Sequence, residues 1–192
     1  MNRDAKCVFC KDDFPCDYQL VSDAMEYWLF ISDRNPHTDY HCLIIFKAKK
    51  VDEIGHINDI GDNRLPDRAM KELGVLLKKA CIAIKACDDT VEKNFLVSLN
   101  SGEKSKHLHV HLIPKRKSEF VRTVNNPCED GGGMFFLARK EIVADTFDEF
   151  LKLTTGDMSK ELICKIKESR RKRVMDNTLR LRENFSWNSV CK

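Results

Sequence analysis

The chain has 192 residues, 42% hydrophobic and 33% charged, which excludes a disordered or fibrous protein and fits a globular domain with a short appendage. A chain of this size buries a core without help from disulfides or a metal, and a formal net charge of +3 is too small to mark a partner. No apolar run approaches the ~18 residues of a membrane span. The N-terminus MNRDAKCVFCKDDFPCDYQL is charged throughout and lacks the apolar stretch of a secretion signal. The expectation is therefore a cytoplasmic protein with no membrane partner, whose nine cysteines, odd in number and irregularly spaced, are reduced thiols.

In chain order, residues 27–31 (YWLFI) are aromatic and β-branched and predict a strand, as do residues 41–46 (HCLIIF). Pro66 suits a first helical turn, and Met70, Leu73, Leu77, Cys81, Ile84 and Cys87 recur at three- and four-residue steps, predicting one long helix. Residues 95–99 predict a third strand and the cleanly alternating residues 107–113 a fourth. Residues 125–133 (NNPCEDGGG) read as a flexible loop. Residues 135–143 predict another strand, 147–153 a short helix and 159–182 a long basic helix, with Leu162, Ile166, Val174 and Leu181 as a sparse apolar stripe. Residues 160–192 hold ten Lys or Arg against four Asp or Glu, so most of the positive excess sits there. The class is α+β, an antiparallel sheet with a long helix on one face. A domain over residues 1–155 carries the site, and residues 156–192 form a basic helical extension.

Half of the six histidines fall in HLHVHLIP, residues 107–114. Alternate side chains of a strand share a face, so His107, His109 and His111 point one way and Leu108, Val110 and Leu112 point into a core. Three imidazoles with a pKa near ~6.5 resist simultaneous protonation, a cost that a purely structural strand has no reason to bear. One reading is chance on a half-exposed strand. A second is a metal site, although same-face neighbours lie roughly 6.5–7 Å apart along a strand, which is awkward for one tetrahedral ion. A third is catalytic, with one imidazole as nucleophile or base and its neighbours orienting it.

His-apolar-His-apolar-His followed by two apolar residues resembles the signature of the histidine triad (HIT) family of nucleotide hydrolases and transferases. The resemblance extends to the opening CVFCK at residues 7–11, to DRNP at residues 33–36 followed by HCLII, to the branch in which the triad runs on into Ile-Pro-Arg or Lys, and to MFFLA at residues 134–138. It covers roughly residues 5 to 153. It implies a HIT-like fold and a hydrolase acting at the α-phosphorus of a nucleotide derivative: a dinucleoside polyphosphate, a nucleoside phosphoramidate or a similar adenylated compound. His109 is implied as the nucleophile, forming a nucleotidyl-imidazole that water hydrolyses to a nucleoside monophosphate. A backbone carbonyl orients its ring, His111 contacts the phosphate or the bridging atom, and His107 supports the site.

The same resemblance implies that Asp33, eight residues before His41, binds the ribose hydroxyls, the alternative being an acidic turn residue. His41 matches a histidine that buttresses the catalytic strand, the alternative being an ordinary strand histidine. Asn100, Ser101, Gly102 and Ser105 in NSGEKSK suit phosphate binding, because glycine admits the backbone N–H groups and the other three donate hydrogen bonds. Taken alone, the same residues read as a polar hairpin loop.

Cys7-x-x-Cys10 is half of a zinc site. In zinc-bearing relatives the first triad histidine, here His107, is the fourth ligand, and the third falls near Lys50, which is no normal zinc ligand. His56 and Cys42 lie close enough in sequence to substitute, and no spacing chooses between them. Such a zinc would be structural, and no cofactor is required for the chemistry. Relatives favour purine nucleotides and are often homodimers. The run RRKR at residues 170–173 reads as a solvated helix face or as a footprint for nucleic acid or an acidic partner. Two rival functions stand beside hydrolysis. One is a transferase or phosphorylase of the same superfamily, in which Gln usually replaces the third histidine. The other is a non-catalytic nucleotide- or nucleic-acid-binding module, which has no need of His109.

Overall fold

A computed structural model describes residues 7–10, 18–21, 25–34, 36, 38–99, 107–116 and 160–185. The strands are β1 (Gln19–Val21), β2 (Trp28–Ser32), β3 (Cys42–Phe46), β4 (Val91–Leu99) and β5 (His109–Arg116), and the helices α1 (Ala48–Ile54), α2 (Asp67–Cys87) and α3 (Lys160–Asn184). The strands form one antiparallel sheet in the order β1-β2-β3-β5-β4. Strand β5, carrying His109 and His111, thus lies inside the sheet, between β3 and β4.

Strands β2 and β3 are buried along their whole length, so they read as continuous apolar runs and not as an apolar–polar alternation. One face sends Trp28, Phe30, Cys42, Ile44, Phe46, Val110 and Leu112 into the main core, where they meet Leu73, Leu76, Ala80, Ala83 and Ile84 of α2. Each large side chain removed from water there contributes about 1.5–3 kcal/mol. The indole of Trp28 donates to the Ala69 carbonyl (2.7 Å), and the Glu72 carboxylate accepts from the backbone N–H groups of Glu26 (2.6 Å) and Tyr27 (2.8 Å). These three bonds fix the start of β2 against α2. The opposite face carries Leu29, Ile31, Leu43 and Ile45, a second apolar cluster to which Phe9 is added.

The α+β class and the helix-backed antiparallel sheet agree with the sequence reading, with particular differences. The helix buries Ala69, Leu73, Leu76, Ala80, Ala83 and Ile84, whereas Met70 is partly exposed and Leu77, Cys81 and Cys87 flank the core. Small alanines let α2 lie close to the sheet, so its inward stripe is rotated from the one the larger side chains mark. Pro66 precedes the first turn. Strand β4 begins four residues earlier than expected, β5 starts at His109 and not His107 and runs on to Arg116, and β1 and α1 have no counterpart in the sequence reading. Of the apolar stripe expected on α3, Val174 and Leu181 are buried, Leu181 in the main core. The expected loop at 125–133, strand at 135–143, helix at 147–153 and boundary at 155/156 lie outside the described residues. Among the described residues, no helix is long and apolar enough to cross a membrane.

Candidate active site

Register places the imidazoles. Ile45 pairs with His109 and Leu43 with His111 across the β3–β5 ladder, so both histidines stand on the face that carries the second apolar cluster. His107 immediately precedes β5. The segment around it is tied on both sides, since Leu108 donates its N–H to Ile57 (2.8 Å) and its carbonyl accepts from Phe46 (3.0 Å).

The His109 Nδ1 lies 2.6 Å from the backbone carbonyl of His107. A carbonyl only accepts, so Nδ1 carries the proton and Nε2, on the far side of the ring, carries the lone pair. Burial lowers the His109 pKa from its ordinary value of 6.5, with the His107 carbonyl working against that shift. The ring is therefore neutral at pH 7. Phe9 packs on it at 4.9 Å between centroids, and His111 stands edge-on at 5.1 Å.

His111 and His41 form a second unit. Their Nδ1 and Nε2 atoms are 2.9 Å apart, and the His41 Nδ1 lies 3.4 Å from the Asp33 carboxylate. A carboxylate favours a proton on the near side of His41. The His41–His111 bond then links the charge state of one ring to the donor or acceptor character of the other.

His107 faces elsewhere. Its Nε2 donates to the Phe46 carbonyl (2.6 Å), which leaves the Nδ1 lone pair directed at Cys10 Sγ, 3.4 Å away. Burial pushes its pKa down to about 4. Around that nitrogen gather Cys7, Cys10 and His56, and their ligand atoms and that of His107 all lie within 4.8 Å of one another. The His56 Nδ1 meets the Asn58 side-chain oxygen at 2.7 Å, and its Nε2 is buried without a hydrogen-bond partner. An orphaned buried acceptor costs free energy, and a metal ion removes that cost. Two thiols, two imidazoles and an outer hydrogen bond on each imidazole fit tetrahedral zinc.

Of the two candidates that the sequence left open for the third donor, the structure places His56 with Cys7, Cys10 and His107. Cys42 lies on the core face and donates its thiol to the Tyr40 carbonyl (3.2 Å). Lys50 sits on α1 with its ammonium on Glu26 and Glu53. The seven-residue helix α1 fills the gap after β3, and Gly55, with φ of 88°, ends it. A side chain strains at that φ, so glycine there lets the chain turn back and lay His56 beside His107. His107 consequently serves both clusters, with its side chain in one and its backbone carbonyl on His109 in the other. Asn100, Ser101, Gly102 and Ser105 lie outside the described residues.

An interior strand presenting a row of histidines beside a carboxylate–imidazole pair, in a sheet backed by one long helix, is the framework of a histidine-triad protein. The family model for the HIT domain matches residues 19–118, more than half of the chain, and the protein belongs to the HIT family. Among solved structures, it is similar to a hypothetical protein from Leishmania major, with 29% identity, 60% of this chain and 77% of that one covered, and a TM-score of 0.45. It is also similar to a zinc-bound histidine triad family protein from Mycobacterium smegmatis (23% identity, 71% and 93% covered, TM-score 0.46). A third is a diadenosine triphosphate hydrolase from Plasmodium falciparum (14% identity, 73% and 86% covered, TM-score 0.46). No curated protein matches the chain.

Proposed function

We propose that the protein is a nucleotide hydrolase that cleaves at the α-phosphorus of a dinucleoside polyphosphate or a nucleoside phosphoramidate, with His109 as nucleophile. The observation that carries this reading is the His109 Nδ1–carbonyl bond at 2.6 Å. It fixes the tautomer, leaving a neutral imidazole with the Nε2 lone pair directed away from the backbone.

In the first step, His109 Nε2 forms a bond to the α-phosphorus and the bond to the leaving group breaks. The leaving group takes a proton from His111, whose Nδ1 is bonded to His41 and, through it, to Asp33. In the second step, a water gives a proton to His111 and its oxygen displaces His109, releasing a nucleoside monophosphate. Splitting one displacement into two lowers the barrier, because the phosphoryl-imidazole is labile. The His111 ring also stabilises charge on the phosphate oxygens. The apolar residues on the His109 face, Leu29, Ile31, Leu43 and Ile45, lower the local dielectric and strengthen these interactions. Asp33, the ribose-binding acid by family resemblance, stands at the end of the relay. The residue types of the NSGEKSK segment suit phosphate contacts, with Asn100 matched by the resemblance.

Cys7, Cys10, His56 and His107 hold a structural zinc in this reading. Held by these four residues, zinc would tie the N-terminal segment to the sheet and supply no step of the reaction. A homodimer is the expected assembly. Strand β4 ends the sheet and presents exposed Val97 and Leu99, surface that a second copy would cover.

Diadenosine tetraphosphate and an adenosine phosphoramidate, each incubated with wild type and with His109→Ala, test the reading. AMP release by wild type alone supports it, and the faster substrate identifies the leaving-group class. Equal release by both proteins, or none by pure wild type, overturns it in favour of a transferase or a binding module.

A further inference from the structure

Helix α3 lies beyond the segment matched by the family model, yet its side chains reach the turn that carries His41. Two adjacent stripes do different work. Val174, Thr178 and Leu181 face inward and are buried. Arg173, Asn177 and Arg180, one step around the helix, meet residues 39 and 40. The Asp39 carboxylate is held by the Arg173 guanidinium and by the Asn177 amide at 3.0 Å. The Arg180 guanidinium interacts with the Tyr40 side chain, which raises the Arg180 pKa. At the other end of the turn, the buried Thr178 hydroxyl lies 2.7 Å from the hydroxyl of Ser32, the residue before Asp33.

The turn between these anchors is strained. Tyr40 has a φ of 60°, a left-handed conformation that costs free energy for any residue but glycine. Such a conformation persists where its surroundings over-determine it, and it recurs at functional sites. Here the next residue is His41, whose N–H donates to Thr38 (3.2 Å) and whose carbonyl accepts from Asp33 (2.9 Å).

We propose that α3 clamps the β2–β3 turn and thereby aims the Asp33–His41–His111 relay, with Asp39 and Arg173 as positioning residues. The proposal rests on the hydrolase reading for its kinetic consequence, though not for its geometric one. It also gives one residue of the basic run, Arg173, an intramolecular use. The Arg173 side chain is 65% exposed while that of Asp39 is 11% exposed. An ion pair open to solvent on its cationic side contributes little to global stability, so its loss reads out in the orientation of the turn before it reads out in unfolding.

The test uses the full chain with Arg173→Gln/Asn177→Ala, Arg173→Lys and the control Lys172→Gln, an exposed neighbour. Histidine ring ¹⁵N–¹H spectra at fixed pH, without substrate, should show His41 and His111 displaced in the double variant and His56 and His107 in place. Kinetics on the better of the two substrates should show kcat reduced on the order of tenfold with KM held, the pattern of lost alignment. Arg173→Lys should restore part of both effects, and Lys172→Gln should match wild type. Unchanged His41 and His111 resonances would overturn the proposal, as would their displacement together with every other histidine in a partly unfolded protein. If wild type turns over neither substrate, the hydrolase reading fails on its own and the spectra still decide the clamp.

Discussion

Replacing Thr178 with valine removes one oxygen from the interior at nearly constant volume. Thr178 is fully buried and Ser32 nearly so. The Thr178 hydroxyl has one proton, and it sits 2.7 Å from both the Val174 carbonyl and the Ser32 oxygen. Donation to Val174 leaves Ser32 as donor to Thr178. In Thr178→Val, the Ser32 hydroxyl is stranded, which costs about 1–3 kcal/mol. In Ser32→Ala, Thr178 keeps its bond to Val174, so the cost is smaller, about 0.5–1.5 kcal/mol. The double variant strands nothing, since replacing both partners by apolar groups of similar shape is close to neutral. It should therefore be more stable than Thr178→Val alone, with a coupling of about 1–2 kcal/mol. Urea unfolding of the four proteins measures this, provided the m-values agree. Additivity within about 0.5 kcal/mol would refute the reasoning and show that the two hydroxyls do not depend on each other.

Burial holds His109 below its ordinary pKa of 6.5. The reactive form is the neutral one, so the acid limb of kcat/KM that reports His109 should have its midpoint below 6.5. An acid limb with its midpoint at or above 6.5 would contradict the assignment. Purified wild type should carry about one zinc per chain by elemental analysis, as a closed four-ligand site requires. His56→Ala should lose it to a chelator, and Asn58→Ala, which removes the partner of His56 Nδ1, should weaken retention by roughly 10–100-fold. Wild type purified without zinc and unable to take it up would count against the site. Glu72→Ala leaves two backbone N–H groups without their acceptor and should cost about 1–3 kcal/mol. The melting temperature should fall, with Glu72→Gln milder because one amide oxygen still accepts. No shift in melting temperature would show that water replaces the carboxylate.

Continuous apolar runs made β2 and β3 legible, alternation made β5 so, and helical spacing marked α2, although alanines and not its larger side chains set the inward stripe. Strand β1 is three residues of ordinary composition and becomes a strand only by pairing with β2, a tertiary effect with no local signature. Helix α1 begins at Lys47 without a capping side chain, so nothing in AKKVDEI announces it. Its omission is what left His56 and Cys42 undecided. The resemblance to zinc-bearing relatives pointed near Lys50, and only the folding of residues 48–55 into one short helix and a glycine turn carries His56 to the cysteines. His109 and His111 were legible because alternation puts them on one face whatever the strand's neighbours are, whereas His107 precedes β5 and turns elsewhere. The split between His107, turned toward the cysteines, and His109, turned toward its own chain, was not, since it depends on the carbonyls of Phe46 and His107. The reach of α3 to Asp39 spans 134 residues from Arg173, a contact beyond any local pattern.

The central claim is that His109 Nε2 bonds covalently to a nucleotide. Rapid acid-free quench of wild type with the faster substrate, followed by intact-mass and peptide analysis, tests it most directly. A transient protein species heavier by one nucleoside monophosphate unit should appear, located on His109 and absent in His109→Ala. Turnover of substrate with no such adduct at any quench time, or an adduct that survives His109→Ala, would contradict it.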